Sequence, residues 1–167
     1  MTTRTAQGLV TAVLVVLIPV LTSCSHLVIL HDPLTAHEHG DLGVAYESGA
    51  KLALAEKEYR HALRLAPRQS RTRVNLGNVQ AARSDWQGAE RSYRRALRDS
   101  STNTDAMNNL SVALMRQGHH RAEATALAER AVQASPVPDS NYVATLTEVR
   151  AWALRDTAAV TRRKERS

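Results

Sequence analysis

Apolar residues in the middle of the chain recur in short blocks that repeat every 34 residues. Leu42-Gly43 returns as Leu76-Gly77 and then as Leu110-Ser111. Within each block the apolar positions lie three or four residues apart, which is typical of an amphipathic helix, and a second block of the same kind follows. The pattern predicts tandem helical hairpins, with helices over 36–48, 51–65, 70–82, 86–98, 104–117 and 120–134.

Small residues fall at matched positions of each hairpin. In the first copy, Gly43 and two alanines leave room for antiparallel helices to approach closely, while large residues fill the remaining gaps. The third copy matches only if one residue is inserted in the turn around Gly118. The repeat positions are Leu42, Gly43, Tyr46, Ala55, Tyr59, Ala62 and Pro67, then Leu76, Gly77, Ala89, Tyr93 and Ala96, then Leu110, Ala124, Ala128, Ala131 and Pro136.

These positions resemble the tetratricopeptide repeat (TPR) pattern, as a complete set in the first copy. The second copy also matches well, and the third is degraded. The resemblance implies an all-α solenoid of three hairpins, at 36–69, 70–103 and 104–137. Two helix starts agree with this register, because Thr35 precedes Glu38 by three residues and Ser84 precedes Gln87 in the same way. Both pairs predict capping boxes at helix N-termini.

One more amphipathic helix is predicted after the third hairpin, within 138–160. Its apolar residues recur at helical spacing, and Asp139 or Ser140 is a candidate N-cap. Such a helix is expected to cap the open end of the stack, and the residues after it, 161–167, form a basic tail. The apolar positions of this helix are Tyr142, Leu146, Val149 and Ala153.

The N-terminal residues predict export. Arg4 precedes an uncharged run from Leu9 to Leu21, which ends in Leu21-Thr22-Ser23-Cys24. A basic start, an apolar run and small residues describe a secretory signal, and the run is shorter than the roughly 20 residues of a membrane span. The last four residues resemble the lipobox of bacterial lipoproteins. That resemblance implies a signal peptide at 1–23, a lipid on Cys24, and a tether over 24–35.

The destination of the exported chain also rests on this resemblance. Ser25 lacks the acidic character of the signal that retains lipoproteins at the inner membrane, which implies the periplasmic face of the outer membrane in a Gram-negative cell. A single cysteine cannot form an internal disulfide, and lipidation would explain its presence. An uncleaved signal anchor and an ordinary cleavage site with an incidental cysteine are the alternatives.

The chain is basic and contains few aromatic residues. The net charge is +6 at pH 7, phenylalanine is absent, and aromatic residues total 4%. A core of alanine and leucine is therefore expected. Arginines are dense between Arg68 and Arg98, where they form either a solvated convex surface or a docking site for an acidic partner or lipid head groups. Nucleic acid is not an expected partner, because export would keep the protein outside the cytoplasm.

The candidate binding surface is the concave face of the solenoid. Positions two, six, nine and thirteen of each first helix share one side. Position six carries Asp41, Asn75 and Asn109, and repeated carboxamides can donate to and accept from an extended peptide backbone. They resemble the asparagine ladder of some peptide-binding TPR proteins, or alternatively they bond only within the stack. The candidate groove residues are Arg71, Asn75, Asn78, Asn108, Asn109, Val112 and Arg116.

The first hairpin adds His37, Asp41, Val44 and Ser48 to the same face. In chaperone-binding TPR domains, the carboxylate clamp has basic and amide residues at positions five and nine of the first repeat. This chain has Gly40 and Val44 at those positions. A chaperone tail is therefore not the expected ligand.

No residue pattern predicts catalysis. The histidines lack metal-ligand spacing, and neither a nucleophile elbow nor a phosphate-binding loop stands out. We expect a non-catalytic scaffold with no metal and no cofactor beyond the lipid on Cys24, anchored to a membrane and binding an unidentified envelope protein or peptide. Two alternatives are a pilotin or assembly factor for a secretin, pilus or secretion system, and an accessory subunit of an envelope peptidase or peptidoglycan-processing complex. The oligomeric state is left open.

Overall fold

The computed structural model describes residues 33–137 and 139–164, with side chains described as far as residue 155. The predicted signal peptide, Cys24 and most of the predicted tether lie outside the described residues, as do Pro138 and residues 165–167. Pro33–Ser167 form a compact unit with its own hydrophobic core. This segment is therefore suitable for study as a separate fragment.

The described part of the chain folds into seven α-helices. The first six begin and end within one residue of the predicted bounds. The seventh continues past the predicted end at residue 160 and takes in part of the predicted basic tail. The helices are α1 Ala36–Ser48, α2 Leu52–Leu65, α3 Ser70–Ala82, α4 Trp86–Asp99, α5 Thr104–Gln117, α6 Arg121–Ala134 and α7 Ser140–Lys164.

The helices pair into hairpins and the hairpins stack in chain order. Helix α1 packs on α2, α3 on α4, and α5 on α6, while α3 also contacts α2 and α5 also contacts α4. Helix α7 covers α6 and part of α5. The alanines of the repeat pattern are fully buried where the helices meet, which confirms the predicted close packing: Ala55, Ala62, Ala89, Ala96, Ala124 and Ala131.

Buried tyrosines fit against glycines in the first two hairpins. A Cβ atom added to Gly43 would lie 2.6 Å from Cδ1 of Tyr59, and one added to Gly77 would lie 2.7 Å from Cδ1 of Tyr93. The tyrosine rings have no space to move away, because Tyr59 is 0% and Tyr93 is 2% exposed in a close-packed interior. The close approach of ring and backbone therefore requires glycine at these positions.

The third hairpin carries a different pair at these two positions of the repeat. Ser111 takes the place of the glycine and Ala128 the place of the tyrosine, and both are 0% exposed. A larger residue on the first helix is thus matched by a smaller one on the second, so the added side-chain atoms do not meet a large ring. The Ser111 hydroxyl donates to the backbone carbonyl of Asn108 at 2.6 Å.

The residue inserted in the third hairpin lengthens its first helix and not its turn, contrary to the prediction. Helix α5 has 14 residues where α1 and α3 have 13, and the turn that follows has three residues in every hairpin. Gly118 ends α5 in the left-handed conformation with φ 77°, and its N–H reaches the carbonyls of Leu114 and Met115. Glycine adopts this conformation without steric cost.

One of the two predicted capping boxes is present. Thr35 and Glu38 cap each other's backbone N–H groups at the start of α1. The box predicted from Ser84 is wrong, because Ser84 adopts φ 63° inside the turn. Asp85 caps α4 instead, accepting the Gly88 N–H at 2.8 Å.

Leu42 does not fill an interior gap as predicted. It is 37% exposed, whereas the matching Leu76 and Leu110 are 7% and 1% exposed. The later leucines lie in core clusters with residues of the preceding hairpin. Leu42 differs because no described helix precedes α1.

Helix α7 closes the other end of the stack, as predicted. Asp139 caps its start by accepting the Asn141 N–H at 2.7 Å. Val149 is 0% exposed, and the Tyr142 hydroxyl donates to Asp105 Oδ1 at 2.6 Å. No helix in the described part of the chain is long and apolar enough to cross a membrane.

A charged network links the second and third hairpins. Arg94 donates to Glu90 at 2.9 Å and, through a second nitrogen, to Glu123 at 2.9 Å. Burial alone would raise the pKa of Glu90, but hydrogen bonds from Arg94 and Gln117 lower it overall. The bond from Arg94 is the main cause that lowers the pKa of Glu123.

We expect Arg94→Gln to lower the free energy of unfolding by about 1 kcal/mol at neutral pH, because solvent screens these partly exposed pairs. The two carboxyl groups titrate at 4.5 when unperturbed and lower in the folded protein, so their stabilisation is present above pH 4.5 and is lost as the pH falls. The difference from wild type should therefore shrink in acid. Urea unfolding of fragment 33–167 at several pH values measures it, with exposed Arg91→Gln as the control. A difference that does not change with pH contradicts this explanation.

Candidate functional site

The first helices of successive hairpins lie side by side and form one face of the stack, since α1 contacts α3 and α3 contacts α5. A cleft of about 440 Å³ opens between α1 and α3. The structure thus brings together residues that the helical register placed on the concave face. Those that line the cleft are His37, Asp41, Val44, Arg71 and Asn75.

The cleft carries charge of both signs. On α1, His37 Nδ1 lies 2.9 Å from Asp41 Oδ2, and both side chains are mostly exposed. On α3, Arg71 forms no ion pair or hydrogen bond with a described residue. Val44 is 47% exposed and adds apolar surface. An extended segment lying here would meet a free cation, a carboxylate and an apolar patch within one cleft.

Tyrosine hydroxyls reach this face from the second helices. The Tyr59 hydroxyl donates to Glu47 Oε2 at 2.7 Å. Burial, and then the bond to Glu47, raise the pKa of Tyr59, while burial and the charge of Glu47 raise the pKa of Tyr93. Both phenols therefore stay protonated and act as donors. They position carboxylate and amide groups on the first helices.

The asparagines of α3 and α5 bond to one another. Asn78 Oδ1 accepts from the Tyr93 hydroxyl and from Asn109 Nδ2, each at 2.9 Å. Asn109 Oδ1 accepts from Asn108 Nδ2 at 3.1 Å. Asn108 is only 8% exposed, so it belongs to the interior of the stack and not to the groove surface as predicted. These bonds hold the side-chain amides of Asn78 and Asn109 in place.

A second cleft of about 380 Å³ lies between α5 and α7. It contains the predicted groove residue Arg116, whose guanidinium lies 5.7 Å from the centre of the Trp86 ring. The half-buried ring of Trp152 also lines this cleft. Glu148 and Trp152 are at positions nine and thirteen of α7. If the sequence had been read with α7 as the first helix of a further hairpin, both residues would have been predicted on the concave face. The lining residues are Met115, Arg116, Glu148, Trp152 and Arg155.

The histidines of the described region do not assemble into a metal site. No group of three metal-ligating side chains occurs within the described ranges. His39 is buried in the first hairpin, with Nδ1 2.7 Å from Glu58 Oε2, and its ring lies 4.9 Å from that of His61. These contacts join α1 to α2. What the described side chains of the grooved face offer a ligand is hydrogen bonds, charge and apolar surface.

Taken together, the architecture defines an α-solenoid of helical hairpins with a concave face built from first helices. Its solved structural neighbours are TPR domains. The first TPR of Spaghetti (RPAP3), bound to the HSP90 peptide SRMEEVD, aligns with a TM-score of 0.66 and 17% identity over 70% of this chain and 91% of that one. The Arabidopsis OM64 TPR domain aligns with a TM-score of 0.66 and 18% identity over 70% of this chain and 95% of that one.

These comparisons establish the TPR fold that the repeat pattern predicted. Searches with protein-family models and against curated proteins gave no match. Identities of 17% and 18% support a shared fold and leave ligands to be argued from this chain's own residues.

Proposed function

We propose that the protein is a non-catalytic interaction scaffold that binds an extended peptide or protein segment on its concave face. The observation that carries this proposal is the cleft between α1 and α3, where exposed Arg71, Asp41 and Val44 converge with the half-buried Asn75. Polar groups held by a rigid scaffold can bond to a peptide backbone, and the exposed valine can contact a ligand side chain.

Two further points support a peptide ligand. The buried tyrosine and asparagine bonds hold the first-helix side chains in place before binding, which reduces the entropy lost on association. The RPAP3 neighbour was solved with a peptide bound, which shows that this fold can hold one. Gly40 and Val44 replace the residues of the carboxylate clamp, so the ligand of this protein must differ in chemistry from the ligands that the clamp binds.

The proposal is tested by panning a random peptide library on immobilised fragment 33–167 and measuring affinities of the selected peptides by calorimetry. Arg71→Ala combined with Asn75→Ala should weaken binding about tenfold or more, because two polar contacts are lost. The matched control is Arg130→Ala combined with Gln133→Ala, an exposed pair on α6 outside this cleft. Equal affinity in all three proteins would overturn binding at the concave face.

The proposal extends to location, which rests on the sequence alone. We propose that Cys24 carries a lipid and holds the scaffold on the periplasmic face of the outer membrane. Acyl chains at a new N-terminus would anchor the protein stably, since more than one chain is needed for lasting attachment. In full-length protein expressed in a Gram-negative host, Cys24→Ser should abolish lipid labelling and release the protein from membranes or stall its processing. Unaltered labelling and attachment would refute the anchor.

A further inference from the structure

The outer side of the first two hairpins carries an unusual concentration of free positive charge. On α2, Lys57 and Arg64 are seven residues apart and therefore lie on the same face of the helix. On α4, Arg91, Arg95 and Arg98 share one face in the same way. All five side chains are exposed. None of the five forms an ion pair or hydrogen bond with a described residue. We call these five residues the outer basic face.

Two of these cations lie on the walls of one cleft. A cleft of about 350 Å³ runs between α2 and α4, lined by Arg64 of α2, Arg95 of α4 and Arg73 of α3. Arg73 is already bonded to Asp99, so it supplies fixed structure, whereas Arg64 and Arg95 are free to bind. Leu63 and Ser92 complete part of the lining.

The carboxylates near this surface do not neutralise it. Glu56 is shared by Arg60 and Arg83, so one positive charge remains in excess there. Asp99 is taken by Arg73. Leu65, the residue after Arg64, is 58% exposed at the end of α2. Free guanidinium groups are suited to a surface of phosphates.

We infer that the outer basic face binds a bilayer surface carrying anionic phospholipids. The charges extend over two helices beyond the cleft, whereas a single phosphate would engage only Arg64 and Arg95. Guanidinium groups bind phosphate oxygens in bidentate fashion. No aromatic side chain lines the cleft on which a nucleic-acid base could stack, and stacking is the usual basis of single-strand binding. This inference does not depend on the concave groove or on Cys24.

The test is co-sedimentation of fragment 33–167 with vesicles of phosphatidylcholine, with and without phosphatidylglycerol. The fragment should bind only the anionic vesicles, and added salt should weaken binding. Arg64→Gln combined with Arg95→Gln should reduce the partition coefficient about thirtyfold, since each basic residue near an anionic membrane contributes about fivefold. Both arginines are exposed and unbonded, so the fold should be unaffected.

The matched control is Arg71→Gln combined with Arg116→Gln, which removes the same charge from the opposite face. It should sediment like wild type while losing affinity for the groove peptides, and the outer-face variant should show the reverse. Equal losses in both variants, or none in the outer-face variant, would overturn the inference. Two other results would also overturn it: displacement by soluble glycerophosphoglycerol, which would indicate a site for free phosphate diesters, and tighter binding to polyglutamate than to anionic vesicles.

Discussion

Gly77→Ala is expected to lower the free energy of unfolding by about 1–3 kcal/mol, although it adds only one methyl group. That methyl group would lie 2.8 Å from Cζ of Tyr93, far inside the contact distance of two carbon atoms. The ring is buried and its hydroxyl is bonded to Asn78, so it cannot rotate away without breaking that bond. The helices must separate instead, which loosens the packing of the whole hairpin.

The matched control for this change is Gly40→Ala. Gly40 also lies inside a helix, but a Cβ atom there would meet nothing within 4 Å. Replacing it should stabilise the fragment by about 0.5–1 kcal/mol, because alanine loses less backbone entropy in a helix than glycine does. Thermal and urea unfolding of fragment 33–167 measure both changes. If the two substitutions shift stability in the same direction, the packing assigned to the glycine and tyrosine pairs is incorrect.

The third hairpin shows that this contact depends on a pair of residues and not on glycine alone. At the matching positions of that hairpin Ser111 and Ala128 are both 0% exposed, so a serine is accommodated where an alanine replaces the tyrosine. Gly77→Ser should therefore be less harmful in a Tyr93→Leu background than in the wild type. Comparing the single and double variants isolates the contact from the general effect of losing the tyrosine.

The repeat pattern was sufficient to predict the hairpins because its decisive contacts are short in sequence. Gly43 meets Tyr59, and Gly77 meets Tyr93, within one hairpin, so their spacing is visible in the chain itself. The exposure of Leu42 could not be predicted in this way. It depends on what lies before α1, and a periodic pattern treats the first copy like the others.

The binding face was predictable in position but not in chemistry. Helical register places Asn75, Asn78 and Asn109 on one side, yet it does not show which groups their amides bond. Those bonds come from Tyr93 and from neighbouring helices, and the partners depend on how the hairpins are stacked. The same applies to Asp85, which caps α4 where Ser84 satisfied the sequence pattern equally well, because the turn geometry decided between two adjacent polar residues.

Val149→Asp is expected to cost the fragment at least about 3 kcal/mol, which is a large share of the stability of a small domain. Val149 is 0% exposed in the cluster that joins α7 to the third hairpin. A carboxylate there would lose its hydration without gaining a partner, or would have to be protonated. Solenoid ends need a cap because each hairpin leaves an apolar face for the next one.

Val143→Asp on the same helix is the control that separates burial from helix chemistry. Val143 is 46% exposed, so its replacement should change stability by less than about 1 kcal/mol. Urea unfolding followed by circular dichroism compares the two variants, and hydrogen exchange locates the loss. If α7 is an integral cap, Val149→Asp should weaken exchange protection in α5 and α6 as well as in α7. Loss of protection confined to α7 would mean that the three hairpins are stable without it.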